Sequence, residues 1–161
     1  PAVRAALLDL QRNMALTSSI LMDGRDIGTN VLPDASLKIY LTASPAVRAK
    51  RRYDELRAKG TDCDLSQIEK DIIERDKQDM NREIAPLKKA DDAVLVDSSD
   101  MSIDEVVDTV IAEYNKIILP ISKENDKVLA NKSGAAARVC LLKRFFDVIM
   151  DANIIMTRRK I

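Results

Sequence analysis

The sequence predicts an α/β fold: a small parallel sheet flanked by helices, followed by a helical C-terminal extension. Three observations carry this. Stretches with apolar residues at helical spacing alternate with short apolar runs, the pattern of parallel strands covered on both faces. The first of those runs, in "ILMDGRDIGTN" (20–30), ends abruptly in carboxylates, an arginine and two of the chain's four glycines. In such sheets ligands bind beyond the carboxyl ends of the strands, which is where Asp23 falls. After Tyr114 the texture changes: residues 115–161 hold ten Lys/Arg against four Asp/Glu, a net of +6, so residues 1–114 carry −6 of a total of zero. The change divides a region 1–114 from a basic tail, 115–161.

Residues 2–16, "AVRAALLDLQRNMAL", set Val3, Leu7, Leu8, Leu10 and Met14 at helical spacing. "SSILMD" is a short buried strand ending at Asp23, and "LKIYLTAS" (37–44) is a second, after the turn-like "LPDAS". Pro45 opens the next helix, "PAVRAKRRYDELRAKG", and Gly60 stops it. Beyond "TDCD" a helix is expected from about Leu65 to Lys89, with Pro86 at its end or at a kink. "DAVLVDSS" is the third strand. "SIDE" (102–105) fits the Ser-x-x-Glu capping box and opens a helix to about Lys116, with Val106, Val107, Val110 and Ile111 on its inner face. In the tail, "AAARVCLLKRFFDVIMDAN" (135–153) has an amphipathic helical pattern.

At 161 residues the chain can bury one ordinary core, built from Leu, Ile, Val, Ala and Met because Trp is absent and aromatics make up 3%. The balanced charge gives no general pull toward nucleic acid or membranes, and neither is expected as a partner. Cys63 and Cys140 lack CxxC spacing and no secretory signal precedes them, which points to a reduced, cytoplasmic setting. No apolar run reaches the roughly 18 residues of a membrane helix. Histidine is absent, which excludes His-based triads, His-ligated zinc and imidazole acid–base chemistry. The remaining palette of Asp, Glu, Arg, Lys, Ser and Thr suits phosphoryl transfer, where positioning and charge neutralisation dominate.

Three constellations could carry such chemistry. In "MDGRDIGT", Asp23, Arg25 and Asp26 project at a strand end between Gly24 and Gly28. Arginine offers a planar fork to phosphate, and aspartate can accept from an amino group or reach Mg²⁺ through water; a polar turn with a local Asp–Arg pair explains the residues equally well. In "ERDKQDMNR", Arg75, Asp79 and Arg82 share one helical face. A solvated face held by weak pairs is the simpler account of that spacing, and a nucleotide's phosphate and ribose would also answer it. In "VRAKRRYDELRAKG", Arg48, Arg51, Arg52 and Arg57 crowd one helix. Like charges so close invite an anion such as a polyphosphate, although Asp54 and Glu55 can salt them locally. Nothing local distinguishes Arg4 from a surface residue.

Taken in order, "VRAALLDLQR", "DGRDIGTNVLPDASLKIYLTAS", "RAKRRYDELRAKG", "IIERDKQDMNREIAPLKKADDAVLVDSS" and "SIDEVV" resemble the bacterial cytidylate (CMP) kinases, almost continuously from Val3 to Tyr114. The resemblance implies transfer of the γ-phosphoryl group of ATP to CMP or dCMP, with Mg²⁺. The implied fold is part of the P-loop kinase fold, with a nucleotide-monophosphate-binding part and a lid. Carried to matching positions, Arg4 and Asp23 would help recognise cytosine. Arg25 and Arg82 would grip the CMP phosphate, and Arg75 with Asp79 would hold the sugar. Asp26 would lie near the phosphates or metal. Arg48, Arg51, Arg52 and Arg57 would belong to the lid helix, facing ATP and the transferring phosphoryl, with Arg48, Arg51 and Arg52 taking part in catalysis and Arg51 and Arg52 contacting ATP.

The chain also departs from the pattern. The family's Gly-rich phosphate loop cannot be present, since glycines stand only at 24, 28, 60 and 134. Residue 1 corresponds to about the middle of such a kinase, and without the central phosphate-binding strand the sheet is expected to have unpaired edges and a reduced core. No appreciable kinase activity is expected of this chain alone. Residues 115–161 have no counterpart in the family. Their helix could dock on a partner, lie on a membrane, cover apolar surface exposed by the shortened core, or have no selected role. The alternative to a kinase is a non-catalytic nucleotide-binding or interaction module that keeps the CMP face and gains a basic tail; a third reading is a membrane or nucleic-acid adaptor run by that tail.

Overall fold

The computed structural model describes the backbone of residues 2–122 and 152–157, and the side chains of Val3 and residues 6–117. The elements follow the expected alternation: α1 (Ala2–Thr17), β1 (Ile20–Gly24), a single π-turn (Ile27–Val31), β2 (Leu37–Thr42), α2 (Pro45–Ala58), α3 (Leu65–Met80), β3 (Val94–Asp97), α4 (Ile103–Ser122) and β4 (Ala152–Thr157).

Local chemistry sets the helix ends. Ser44 caps α2 by accepting from the Val47 N–H at 3.3 Å, Pro45 occupies the first turn, and Gly60 follows the helix at φ 76°, in the left-handed region. The Ser102–Glu105 capping box forms in both directions: Ser102 N–H donates to Glu105 Oε2 at 2.8 Å, and Glu105 N–H donates to Ser102 Oγ at 3.3 Å. The α4 helix then runs six residues past Lys116, to Ser122.

The third helix is shorter than its sequence pattern suggests. It stops at Met80 rather than near Lys89, because Asn81 Nδ2 donates to Lys77 O at 2.7 Å and ends the ladder. The chain then turns back through Ala85 at φ 52°, and the Leu87 N–H donates to Asp79 O at 2.8 Å. Pro86 lies in this return rather than in a helix.

Four strands form one sheet in the order β1-β4-β2-β3. β2 and β3 are parallel, while β4 is antiparallel to both β1 and β2, so β1, β2 and β3 all run in the same direction. Of the unpaired edges expected, those that β1 and β2 turn toward each other are covered: the tail strand pairs at five positions with each neighbour. Most of the amphipathic helix expected over 135–153 falls outside the described residues, and its last two positions, 152 and 153, belong to β4.

The main core joins this sheet to α4. Leu37, Ile39 and Leu41 alternate along β2 and meet Val96, Val106 and Val110, with Leu21, Met101 and Tyr114 at the margin. A smaller cluster of Ile27, Val31 and Leu32 packs with Leu8, Ile20 and Met22 and anchors the π-turn beneath α1. On the other face of β2, Lys38 is buried and donates to Asp92 at 2.7 Å and to the Pro33 carbonyl. Among the described residues no helix is long and apolar enough to cross a membrane.

Candidate functional site: an arginine–aspartate corner at the carboxyl ends of the strands

Because β1, β2 and β3 run the same way, Gly24, Thr42 and Asp97 end at one edge of the molecule. The backbone bends sharply there. Gly24 has no room for a side chain, since a Cβ would come within 2.9 Å of Ile27 Cγ1. That close approach lets the next residue, Arg25, leave the strand toward α3.

Arg25 forms an ion pair with Asp79, which sits in the last turn of α3 and is only 1% exposed. Arg82, just past the helix end, pairs with the other oxygen of the same carboxylate while remaining 46% exposed. Burial pushes the Arg25 guanidinium below its ordinary value; the Asp79 charge opposes this, and the Arg75 and Arg82 charges add to it. A guanidinium remains a cation under any such shift. Arg75, Arg25, Asp79 and Arg82 thus form one electrostatic group.

Asp76, one residue beyond Arg75, adds its charge to that of Asp79 on Arg25 but binds a different arginine. It accepts from Arg48 Nη1 at 3.2 Å and from Nη2, and Arg48 Nε also donates to Ala43 O at 3.0 Å. With 6% exposure, Arg48 pins α2 to α3 and to the end of β2. Arg51 reaches the end of β3, donating to Ser98 O at 2.6 Å and Met101 O at 3.2 Å. Arg52 stays at the surface, paired with Glu55 at 2.7 Å. Arg57 also lies at the surface, 3.6 Å from Asp62, so the lid-helix arginines diverge, two toward strand ends and two toward solvent.

Of the remaining expected residues, Asp23 is the last but one of β1, and burial raises its carboxyl pKa against the pull of a backbone hydrogen bond. Asp26 opens the π-turn: its Oδ2 accepts from Asn30 Nδ2 at 3.2 Å and its carbonyl accepts from the Asn30 N–H at 2.9 Å. Arg4 stands in the first turns of α1, and its side chain is outside the described residues.

A cleft of about 230 Å³ adjoins the corner, with Tyr40, Thr42, Arg48, Asp76, Met80 and Leu87 among its walls. Burial and the nearby Asp76 charge raise the Tyr40 phenol. Neither Tyr40 nor Asp76 stood out in the sequence. Tyr40 was legible only as a residue of the second strand, and Asp76 only as a charge on a heavily charged helix.

The charge balance shows what this corner can do. Arg25, Arg75 and Arg82 supply +3 and Asp79 supplies −1, leaving +2, while Asp76 is matched by Arg48. A phosphate monoester carries about −1.5 to −2 at pH 7. The buried carboxylate holds two guanidinium forks in place, and that preorganisation lowers the cost of ordering them on an anion. Among the described residues, no group of three or more Asp, Glu or Cys side chains could hold a metal ion.

A family model described as cytidylate kinase matches residues 1–116. The cytidylate kinase of Pseudomonas paraeruginosa (strain DSM 24068 / PA7) is 56% identical over 111 residues, 69% of this chain and 48% of that protein. Those of Methylococcus capsulatus and Alkaliphilus metalliredigens are 52% identical over 112 residues and 51% over 115, covering 50% and 52% of their own lengths and 70% and 71% of this chain. The chain thus spans about half the length of the curated relatives it matches.

Proposed function

The chain belongs to the cytidylate kinase family, and on that premise we propose that its arginine–aspartate corner is the CMP side of a phosphoryl-transfer site. The acceptor is CMP or dCMP and the donor ATP, with Mg²⁺ entering as the ATP complex. One observation carries the reading: the buried Asp79 carboxylate orients Arg25 and Arg82 at the strand ends, leaving a net +2 there.

In this reading Arg25 and Arg82 bind the CMP phosphate, each through the bidentate geometry that suits phosphate oxygens. Arg75 and Asp79 hold the sugar. Arg4 and Asp23 recognise cytosine. Arg52, paired only at the surface, is free to turn onto ATP or the transferring phosphoryl. Arg48 and Arg51 act by holding α2 at the ends of β2 and β3. Asp26 shapes the π-turn beside the phosphates.

Catalysis needs the donor phosphates held as firmly as the acceptor, and in such kinases a Gly-rich loop does this. With glycines only at 24, 28, 60 and 134, this chain has no such loop, so we propose that by itself it binds CMP without turning it over. Calorimetry with CMP and with ATP, beside a coupled assay for ADP, tests both halves. Saturable CMP binding with no turnover is the expected result. Absence of CMP binding would overturn the site, and turnover of about 1–100 per second, normal for kinases, would overturn the inactivity.

A further inference from the structure

We propose that the channel between β1 and β2 is a strand-acceptor site, that residues 152–157 fill it as a replaceable occupant, and that it takes the same strand offered in trans. The ligand class is an extended, apolar six-residue segment.

The topology carries this. β1, β2 and β3 all lie within the family-matched residues 1–116 and run in the same direction, yet β1 and β2 are not neighbours. Strands in a sheet are spaced about 4.8 Å apart, so the edges of β1 and β2 stand two spacings apart, with room for one strand. The strand in that space comes from outside the matched region and runs against both neighbours. A sheet whose other three strands agree in direction has thus been completed by a segment that does not share it.

The channel has defined chemistry. Its two walls present the backbone groups of residues 20–24 and 37–41, which pair with residues 157–153 and 156–152. Left open, these N–H and C=O groups would lack partners inside the sheet, which is costly for a buried backbone. Main-chain pairing on both sides provides affinity, and the alternate positions provide selectivity, as in other cases of strand addition. Ile154 takes the register row of Ile39, which is fully buried, and of Asp23, and Met156 takes the row of Leu21 and Leu37. These rows belong to the face that packs on Val106 and Val110 of α4. Asn153 lies beside Gly24, at the end nearest the arginine corner. A proline anywhere in the occupant would remove a ladder donor, because a strand with neighbours on both sides uses its N–H groups alternately toward each.

The test uses the full chain carrying Ile154→Pro and a fluorescent peptide of residues 150–159. Saturable one-to-one binding to the variant is expected, at least tenfold tighter than to the unaltered chain, whose channel is filled; a peptide carrying the same Ile154→Pro change should not bind. Failure of the peptide to bind a folded variant, or equal binding to both chains, overturns the proposal. Should the variant not fold by circular dichroism, cross-linking in the otherwise unaltered strand decides. Met22→Cys with Ile155→Cys, and separately Tyr40→Cys with Asn153→Cys, are made after Cys63→Ser and Cys140→Ser. Cross-strand partners have the Cα separation a disulfide requires, so oxidation should close each pair within one chain. Excess peptide present during oxidation should lower the yield at least twofold. No disulfide, or a yield unmoved by peptide, overturns it.

Discussion

A carboxylate held between two guanidinium groups is strongly coupled to both, but the two arginines differ in exposure and should differ in what their loss does. Arg82 is 46% exposed, so Arg82→Ala should leave stability nearly unchanged while weakening CMP binding about tenfold or more, the equivalent of one charge-assisted contact of about 1.5–3 kcal/mol. Arg25 is largely buried. Arg25→Ala should weaken CMP similarly and also destabilise the fold by about 1–3 kcal/mol, since Asp79 keeps only its exposed partner. Calorimetry and urea denaturation of both variants separate the two effects. Asp23 makes a different prediction. Its carboxyl pKa is raised by burial, so the folded state holds this proton more tightly than the unfolded chain does. Ionised Asp23 therefore costs stability above the raised value, and the cost fades as pH falls through it to the ordinary 3.8. Asp23→Asn should stabilise the protein at pH 7, with the advantage disappearing in melts below pH 3.8, while CMP affinity falls. The residue pattern was half legible: the spacing of Arg75, Asp79 and Arg82 showed a shared face, but not that its central carboxylate is 1% exposed. Burial there depends on Arg25, about fifty residues earlier, and no local periodicity encodes that pairing.

Between elements, the firmest connection is Arg48 with Asp76, which ties α2 to α3 away from water. Removing one member of a buried pair strands the other, so Asp76→Ala should cost about 3–5 kcal/mol. Asp54, paired with Lys50 at 2.5 Å along α2, is more than half exposed. Asp54→Ala should cost less than about 0.5 kcal/mol, and chemical denaturation of the two variants in parallel checks the contrast. Elements with local stop signals were readable from sequence: Pro45 and Gly60 bound α2, and Ser102 with Glu105 starts α4. The end of α3 was not, because Lys77, Asn81 and Glu83 continue a helix-compatible polar pattern while the actual stop is the Asn81 side-chain bond and the return of Leu87 onto Asp79. β4 was hidden for a different reason. "ANIIMT" is six residues long and follows an amphipathic run, and its pairing partners lie more than one hundred residues away in the chain. A strand is defined by its neighbours, and these neighbours are set by topology rather than by local sequence.

At the scale of the molecule, ligand binding and folding are linked, which gives the CMP proposal a readout independent of catalysis. A ligand that binds only the folded state stabilises it by about 2.7 kcal/mol at one hundred times its Kd. For a chain of this size each kcal/mol raises the melting midpoint by about 2–4 °C. CMP at that level should therefore raise the midpoint by about 5–11 °C, and the same concentration of cytidine, which lacks the phosphate, should raise it far less. The difference isolates the phosphate contacts proposed for Arg25 and Arg82, so it should collapse in Arg25→Ala even if that variant's own midpoint is lower. ATP should leave the midpoint nearly unchanged, because the chain's four glycines supply no phosphate-cradling loop. A thermal-shift series with CMP, cytidine and ATP measures all three. Equal shifts from CMP and cytidine would mean that the base or sugar, not the net +2 at the strand ends, dominates recognition. A large shift from ATP would place the donor nucleotide on residues other than a Gly-rich loop, with the arginines of α2 as the first to replace.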